Sequence, residues 1–243
     1  MRLDIAIVER GLAPTRSRAR DAIKRGGVRV GGAVETRPGS VVEADADIRI
    51  DDPAKGYVSR AAIKLIAGLD GFGIDPCGAQ ALDVGASTGG FTQALLERGA
   101  SHVVALDVGH GQLANEIGDD PRVTSLEGLN ARDLKAEDLP YTPDHVVADV
   151  SFISIRLALP PALSIAARGS PCVLLVKPQF EVGRDGIGKG GIVPPERAER
   201  EAEALRGWLD EQPGWRSVGL LASPIAGGSG NREWLLGGVK DRE

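Results

Sequence analysis

Aromatic side chains are scarce in this 243-residue chain, at 4%, and cysteine and histidine are scarcer still. The two cysteines, Cys77 and Cys172, lie far apart with no CxxC pairing, which excludes a disulfide framework or a thiol redox motif. Cys172 sits in the strand-like run CVLLV and reads as a buried thiol, and a reducing cytosol suits both. The three histidines, His102, His110 and His145, have no metal-ligand spacing, so no metal is expected. No apolar run approaches the roughly 18 residues that a membrane-spanning helix needs. The opening MRLDIAIVERG mixes charge with apolar residues from the start, unlike a signal peptide. Spanning, secretion and pore formation by helical insertion are all disfavoured, and we expect a cytoplasmic protein, monomeric or weakly oligomeric. No internal repeat is present.

What is there is charge of uneven distribution. The net charge of −5 argues against a polyanionic partner, yet residues 1–30 hold eight Lys/Arg against three Asp/Glu. The remainder holds 21 against 31, so a basic end of +5 precedes a body of −10. That asymmetry is expected of an attached nucleic-acid-binding module, although small charge excesses also serve solubility alone.

The first segment reads as two short helices followed by strands. Leu3, Ile7 and Val8 recur at helical spacing and the pattern ends near Gly11. Thr15 is placed to cap a second helix, RSRARDAIKR, which stops at Gly26-Gly27. Arg16, Arg20 and Lys24 are four apart and form one cationic stripe, with Arg18 and Arg25 beside it, while Ala19, Ala22 and Ile23 face the other way. VRV then alternates into the Gly31-Gly32 turn, and SVVEADADIRI supplies further strand. This stretch resembles an S4 domain, a small α+β RNA-binding module. The family's arginine-leucine-aspartate start is present. Thr15-Arg16 stands for its Ser-Arg, and Gly31 for the Asn of its V-x-V-N-G hairpin. The resemblance assigns RNA contact to Arg2, Arg16, Arg18, Arg20, Lys24, Arg25 and Arg29, within a domain over 1–52.

Residues 53–60 read as a linker, rich in Pro, Gly and mixed charge. Over 61–243 helical and strand patterns alternate: strands at 80–85, 102–107, 145–149, 172–176, 216–222 and 232–239, helices at 59–69, 89–98, 111–117, 155–168 and 195–211. Alternating βα units imply a mainly parallel sheet covered on both faces.

The first strand of that body ends in ALDVGASTGGFT. In such folds ligands bind beyond the carboxyl ends of the strands. This turn, Gly85-Ala86-Ser87-Thr88-Gly89-Gly90, has Ser where the dinucleotide fingerprint has its second glycine, and it lacks a P-loop lysine. An acid, Asp83, precedes it, and a second, Asp107, ends the next strand. Two acids without a phosphate cradle suit a cationic nucleoside such as S-adenosylmethionine. The alternative for Asp107 is a carboxylate that caps the following helix. The expected cofactor site comprises Asp83, Gly85, Ala86, Ser87, Thr88, Gly89, Gly90, Phe91, Asp107 and Val108.

Three more polar residues stand at strand ends: Asp149 after VVA, Lys177 after VLLV, and Glu233 before WLLGG. A lysine at the end of a buried strand needs partners, and Asp149 and Glu233 could supply them. Lys64, in the helix before the glycine turn, is a second cation. Singly, each fits a structural ion pair. Together the set resembles the K-D-K-E tetrad of FtsJ-like ribose 2′-O-methyltransferases. A ribose hydroxyl must lose its proton as it attacks a sulfonium methyl, and lysine becomes a usable base when a second cation and desolvation lower its pKa. By this resemblance Lys177 deprotonates or steadies the 2′-oxygen, Lys64 tunes it, and Asp149 and Glu233 hold the lysines.

The whole chain is similar to the TlyA-type rRNA 2′-O-methyltransferases, long also labelled haemolysins. DVGASTGGFT, LDVGHGQL, NARDL, ADVSFISI, VKPQFEVG and SPIAGGSGNREW occur in that order. The resemblance implies a Rossmann-like class I methyltransferase domain behind the S4 domain, cytidine ribose in ribosomal RNA as substrate, ribosomal subunits as partners, and Asn130, Ala131 and Arg132 near the adenosine. It implies a loop over the site at 183–191. Where the family carries R-x-W-V, this chain has Lys55-Gly56-Tyr57-Val58. Its extent suggests the shorter class, which modifies only large-subunit RNA. Rival readings are a membrane-active haemolysin, an S4 RNA-binding protein with an inert methyltransferase fold, and a small-molecule methyltransferase.

Overall fold

The computed structural model describes residues 1–24, 26–51, 54–227 and 230–242. Arg25 of the cationic set therefore lies outside the described residues. The chain forms two compact units, Met1–Gly56 and Tyr57–Glu243.

In the first unit, α1 (Leu3–Glu9) and α2 (Arg16–Lys24) precede a three-stranded antiparallel sheet of β1 (Val28–Val30), β2 (Ala33–Val34) and β3 (Ile48–Ile50), in the order β2-β1-β3. The Thr15 hydroxyl accepts from the Arg18 amide at 3.3 Å, as a capping residue should. Leu3, Ile7, Ala19, Ala22, Ile23 and Val28 form this unit's own core. The helical period leaves Arg16, Arg20 and Lys24 on the exposed side of α2.

The second unit runs α3 (Ala61–Phe72), β4 (Gln80–Val84), α4 (Gly90–Glu97), β5 (His102–Asp107), α5 (Asn115–Gly118), β6 (Val123–Glu127), β7 (His145–Ala148), α6 (Ile155–Ala158), α7 (Pro160–Ile165), β8 (Pro171–Val176), α8 (Pro195–Asp210), β9 (Arg216–Ala222) and β10 (Trp234–Val239). Its seven strands lie in the order β6-β5-β4-β7-β8-β10-β9. The first five are parallel, and β10 runs antiparallel to both β8 and β9.

Strand alternation divides the core in two. Leu82, Val104, Val146, Leu174 and Leu236 face one layer with Leu159, Leu163, Leu205 and Trp215. Their neighbours Ala81, Val103, Val147, Leu175 and Leu235 face the other, with Leu65, Leu69, Phe91 and Leu95. Cys172 is buried in the first layer, where desolvation pushes its thiol up. Cys77 is exposed.

Three elements differ from the sequence expectation. Strand β6 was not anticipated, because VTSLE is a half-exposed edge strand with little apolar alternation. The helix expected over 111–117 shrinks to Asn115–Gly118: Gly111 takes φ +62 and its amide bonds Glu127 Oε2 at 2.9 Å, so the chain bends there. The helix expected over 155–168 is broken in two, with Pro160 opening the second piece.

Candidate active site

The strand order reverses at β4, which pairs with β5 on one side and β7 on the other. The crevice at its carboxyl end is therefore where an α/β sheet places a ligand. Gly85 leaves β4 with φ +85, and a Cβ there would lie 2.8 Å from the Asp149 carbonyl oxygen. Only glycine lets the turn pass so close to the end of β7. At Gly90 the obstruction is different: a Cβ would meet Ser59 Cβ at 2.7 Å, where the chain enters α3.

The two acids of this turn play unlike parts. Asp107 grips the loops: its Oδ2 accepts from the Ser87 amide at 2.8 Å and its Oδ1 from the Gly109 amide at 2.7 Å. It also lines a cavity of about 680 Å³ together with Gly85, Ser87, Val108, Asn130, Ala131 and Arg132. Asp83 shares the parity of Ala81 along β4, so it points into the layer beneath α4 and is 0% exposed. There its Oδ2 accepts from the Thr92 hydroxyl at 2.7 Å, while Oδ1 is buried with no hydrogen-bond partner among the described residues. Burial, reinforced by Asp149 and Asp107, pushes the Asp83 carboxyl up to about 7. Phe91 is likewise in the core, against α3. Ala86 is buried within the turn, and Gly89, with φ +94, stands at the N-cap of α4. The Thr88 carbonyl accepts from the Ala114 amide at 3.3 Å. Asn130 Oδ1 accepts from the Arg132 amide at 3.2 Å and so shapes the cavity wall.

The four tetrad residues form two ion pairs on one sheet edge. Lys177 Nζ approaches Asp149 Oδ1 to 2.5 Å as a charge contact, and its aligned hydrogen bond goes to Ser151 Oγ at 2.6 Å. Lys64, on α3, donates to Glu233 Oε2, and both side chains are nearly sealed from solvent. Because Trp234 pairs with Val176, Glu233 stands level with Lys177 across the β8-β10 ladder. Lys177 and Asp149 flank a smaller crevice with Gly85, Ser87, Thr88 and Ser59.

Several residues around this edge escaped sequence reasoning. Gln112 lines the cavity and accepts from the Ser87 hydroxyl at 3.3 Å. Phe152 is 92% exposed with φ +64, an unusual conformation for a bulky residue. Asn231 is buried and fastens the glycine-rich stretch 183–191: its Nδ2 donates to the Gly191 carbonyl and its Oδ1 accepts from the Val193 amide, each at 2.9 Å. The only signal for Ser151 and Phe152 was their place directly after Asp149 in ADVSFIS.

In the first unit, buried Asp4 accepts from Arg2 Nε at 3.1 Å and Arg16 Nε at 2.9 Å, and these guanidinium groups hold its carboxyl below the usual range. Arg29 donates to the Gly32 carbonyl and Arg18 to the Ala54 carbonyl, each at 3.3 Å. Arg20 and Lys24 are exposed.

A doubly covered sheet of this order, with a glycine turn at the switch point and acids at two strand ends, is a Rossmann-like methyltransferase domain, here preceded by an S4 domain. Residues 57–240 match the FtsJ-like methyltransferase family and residues 1–48 the S4 domain. The chain belongs to the TlyA branch of the FtsJ-like methyltransferases and is an enzyme of that class. It is 46% identical to the 16S/23S rRNA (cytidine-2′-O)-methyltransferase TlyA of Mycobacterium tuberculosis, over 97% of this chain and 88% of that one. Hemolysin A of Brachyspira hyodysenteriae is 40% identical, over 97% and 98%. A solved structure of a candidate hemolysin from Streptococcus thermophilus superposes with a TM-score of 0.77 at 36% identity, covering 99% of this chain and 88% of that one. Among the described residues no helix is long and apolar enough to cross a membrane.

Proposed function

We propose that this chain transfers a methyl group from S-adenosylmethionine to the 2′-hydroxyl of cytidine in ribosomal RNA, with large-subunit RNA as the principal target. The observation that carries this reading is the pair of ion pairs, Lys177 with Asp149 and Lys64 with Glu233, on one sheet edge beside the glycine turn.

The residues fit the cofactor. Asp107, Asn130 and Arg132 offer polar groups along a cavity of a size that suits a nucleoside. Asp83 does not line the cavity; its carboxyl lies buried beneath the glycine turn and acts on a bound cation only through space, and only when ionised. When bound, the cofactor supplies an electrophilic methyl on a sulfonium. Lys177, oriented by Asp149 and Ser151, deprotonates or steadies the 2′-oxygen as it attacks. Lys64, held by Glu233, adds a second positive charge to that edge and orients the hydroxyl. Beyond this, transfer depends on in-line placement. Phe152, exposed beside Asp149, offers a ring face to a base. Arg2, Arg16, Arg20 and Lys24 of the first unit supply phosphate contacts, and a ribosomal substrate puts the site of action in the cytoplasm.

The test uses methyl-labelled S-adenosylmethionine with separated, undermethylated small and large subunits, and compares the wild-type chain with Lys177→Ala. Label in large-subunit RNA at a 2′-O position, absent with the variant, supports the proposal. Label in the small subunit as well extends the target to both. Label in neither, with cofactor bound, refutes it.

A further inference from the structure

We propose that Glu181 is a positioning residue that locks the turn following Asp149 to the turn following Lys177. This rests on reading that sheet edge as the active site.

Asp149 and Lys177 each directly follow a strand, and the chain leaves through the turn 149–154 in one case and a single 3-10 turn, Pro178–Phe180, in the other. Neither turn has a ladder to fix it. The two are joined at three points. Lys177 bonds Ser151 and contacts Asp149. The Phe152 and Phe180 rings pack 5.1 Å apart at 49°. Glu181 uses both carboxylate oxygens on the opposite turn: Oε2 accepts from the Ser154 hydroxyl at 2.5 Å and Oε1 from the Ile155 amide at 2.8 Å.

The Ser154 hydroxyl in turn accepts from the Arg156 amide at 3.1 Å, so Glu181 and Ser154 together satisfy the orphan amides that open α6. That fastening ends the turn containing Phe152. A left-handed φ at a phenylalanine is strained and persists only where its surroundings over-determine it. Glu181 supplies that constraint from outside the reacting group. Removing it lets Phe152 relax and the Ser151-Lys177 contact drift.

The chain has four phenylalanines, Phe72, Phe91, Phe152 and Phe180, which makes fluorine labelling informative. The full-length protein is prepared with 4-fluorophenylalanine, and Phe152→Leu and Phe180→Leu assign the resonances. In Glu181→Ala the Phe152 and Phe180 signals should move while those of Phe72 and Phe91, which pack among core residues around α3 and α4, stay. The variant's kcat/KM for undermethylated subunits should fall on the order of 10- to 100-fold through misplacement, and by more than any loss of cofactor affinity, which is measured separately because the 149–153 turn also lines the cavity. Glu181→Gln should recover most of both, because its amide oxygen accepts from Ile155 and its NH2 donates to Ser154. If Glu181→Ala does not fold, Ser154→Ala removes one of the two bonds and should give the same changes at smaller amplitude. Movement of all four signals, or wild-type spectra and kinetics in Glu181→Ala, or a Gln variant no better than Ala, overturns the proposal. A wild-type enzyme that labels no ribosomal RNA would refute the substrate, and the fluorine spectra would still decide the role of Glu181.

Discussion

Lys64 and Glu233 are 169 positions apart in sequence and form a buried ion pair between α3 and the entry to β10. The pair joins an early helix of the second unit to its last strand, and it differs from Lys177-Asp149, whose side chains keep some exposure.

That difference predicts unlike effects of removing the two lysines. Lys64→Ala leaves a carboxylate buried and alone, and should cost about 3–5 kcal/mol of stability. Lys64→Met with Glu233→Leu should recover most of that stability and none of the activity. Urea unfolding of the wild-type chain, Lys64→Ala and the double variant measures both effects.

Lys177→Ala should cost less stability than Lys64→Ala, because the Asp149 side chain it leaves behind keeps 15% exposure. Methyl transfer should fall by at least about 100-fold, the contribution usual for an acid–base residue. Single-turnover transfer, with cofactor binding measured separately, checks that the loss lies in the chemical step.

The pH dependence should centre on Asp83. Its folded pKa, about 7, lies above its unfolded value. Between about pH 4 and pH 7 the folded chain therefore keeps a proton that the unfolded chain has lost, and stability of the cofactor-free protein falls as pH rises across that window. A cation bound over the turn favours the ionised form, so cofactor affinity should strengthen as pH rises through 7. Asp83→Asn, which keeps an acceptor for Thr92, should flatten both slopes. Unfolding and cofactor titrations at several pH values supply the comparison.

At Gly85 an alanine would meet the Asp149 carbonyl in a backbone region that L residues avoid. Gly85→Ala should destabilise by about 1–3 kcal/mol and weaken cofactor binding, which calorimetry would report.

On the first unit, Arg20→Gln and Lys24→Gln should each reduce the slope of log affinity against log salt for ribosomal RNA by about one. Cofactor affinity should not change. RNA binding that ignores these substitutions would move the contact elsewhere.

Much of the sheet was legible because its buried strands are apolar runs with clear ends. Val146-Val147-Ala148 and Val173-Leu174-Leu175-Val176 announce strands, and a polar residue after each announces the site. Strand β6 was hidden because an edge strand does not need both faces apolar. The break at Pro160 was present in the sequence, yet the helical period across it was stronger than the local signal. At the site, Lys177 and Glu233 were visible as polar residues bounding apolar segments. Which acid meets which lysine depends on strand order, which no local window contains. The inward orientation of Asp83 follows from strand parity, but only once the two layers are known. Glu181 and Asn231 lay inside the stretches VKPQFEVG and SPIAGGSGNREW, but no role could be read for them, since a carboxylate that fastens a neighbouring turn looks like any loop acid.

The position of β10 has a consequence for how the enzyme is made. It is the last strand in chain order, yet it lies between β8 and β9 rather than at a margin. Glu233 immediately precedes it. During synthesis the first unit, with its own core, has all it needs to fold long before the sheet can close. The catalytic edge has to wait for the final segment, which pairs with β8 and supplies the ladder that ties β9 to the sheet. A reading-frame slip near residue 230 would lose Glu233 and an interior stave of the sheet together, and the outcome would be no enzyme rather than a slower one.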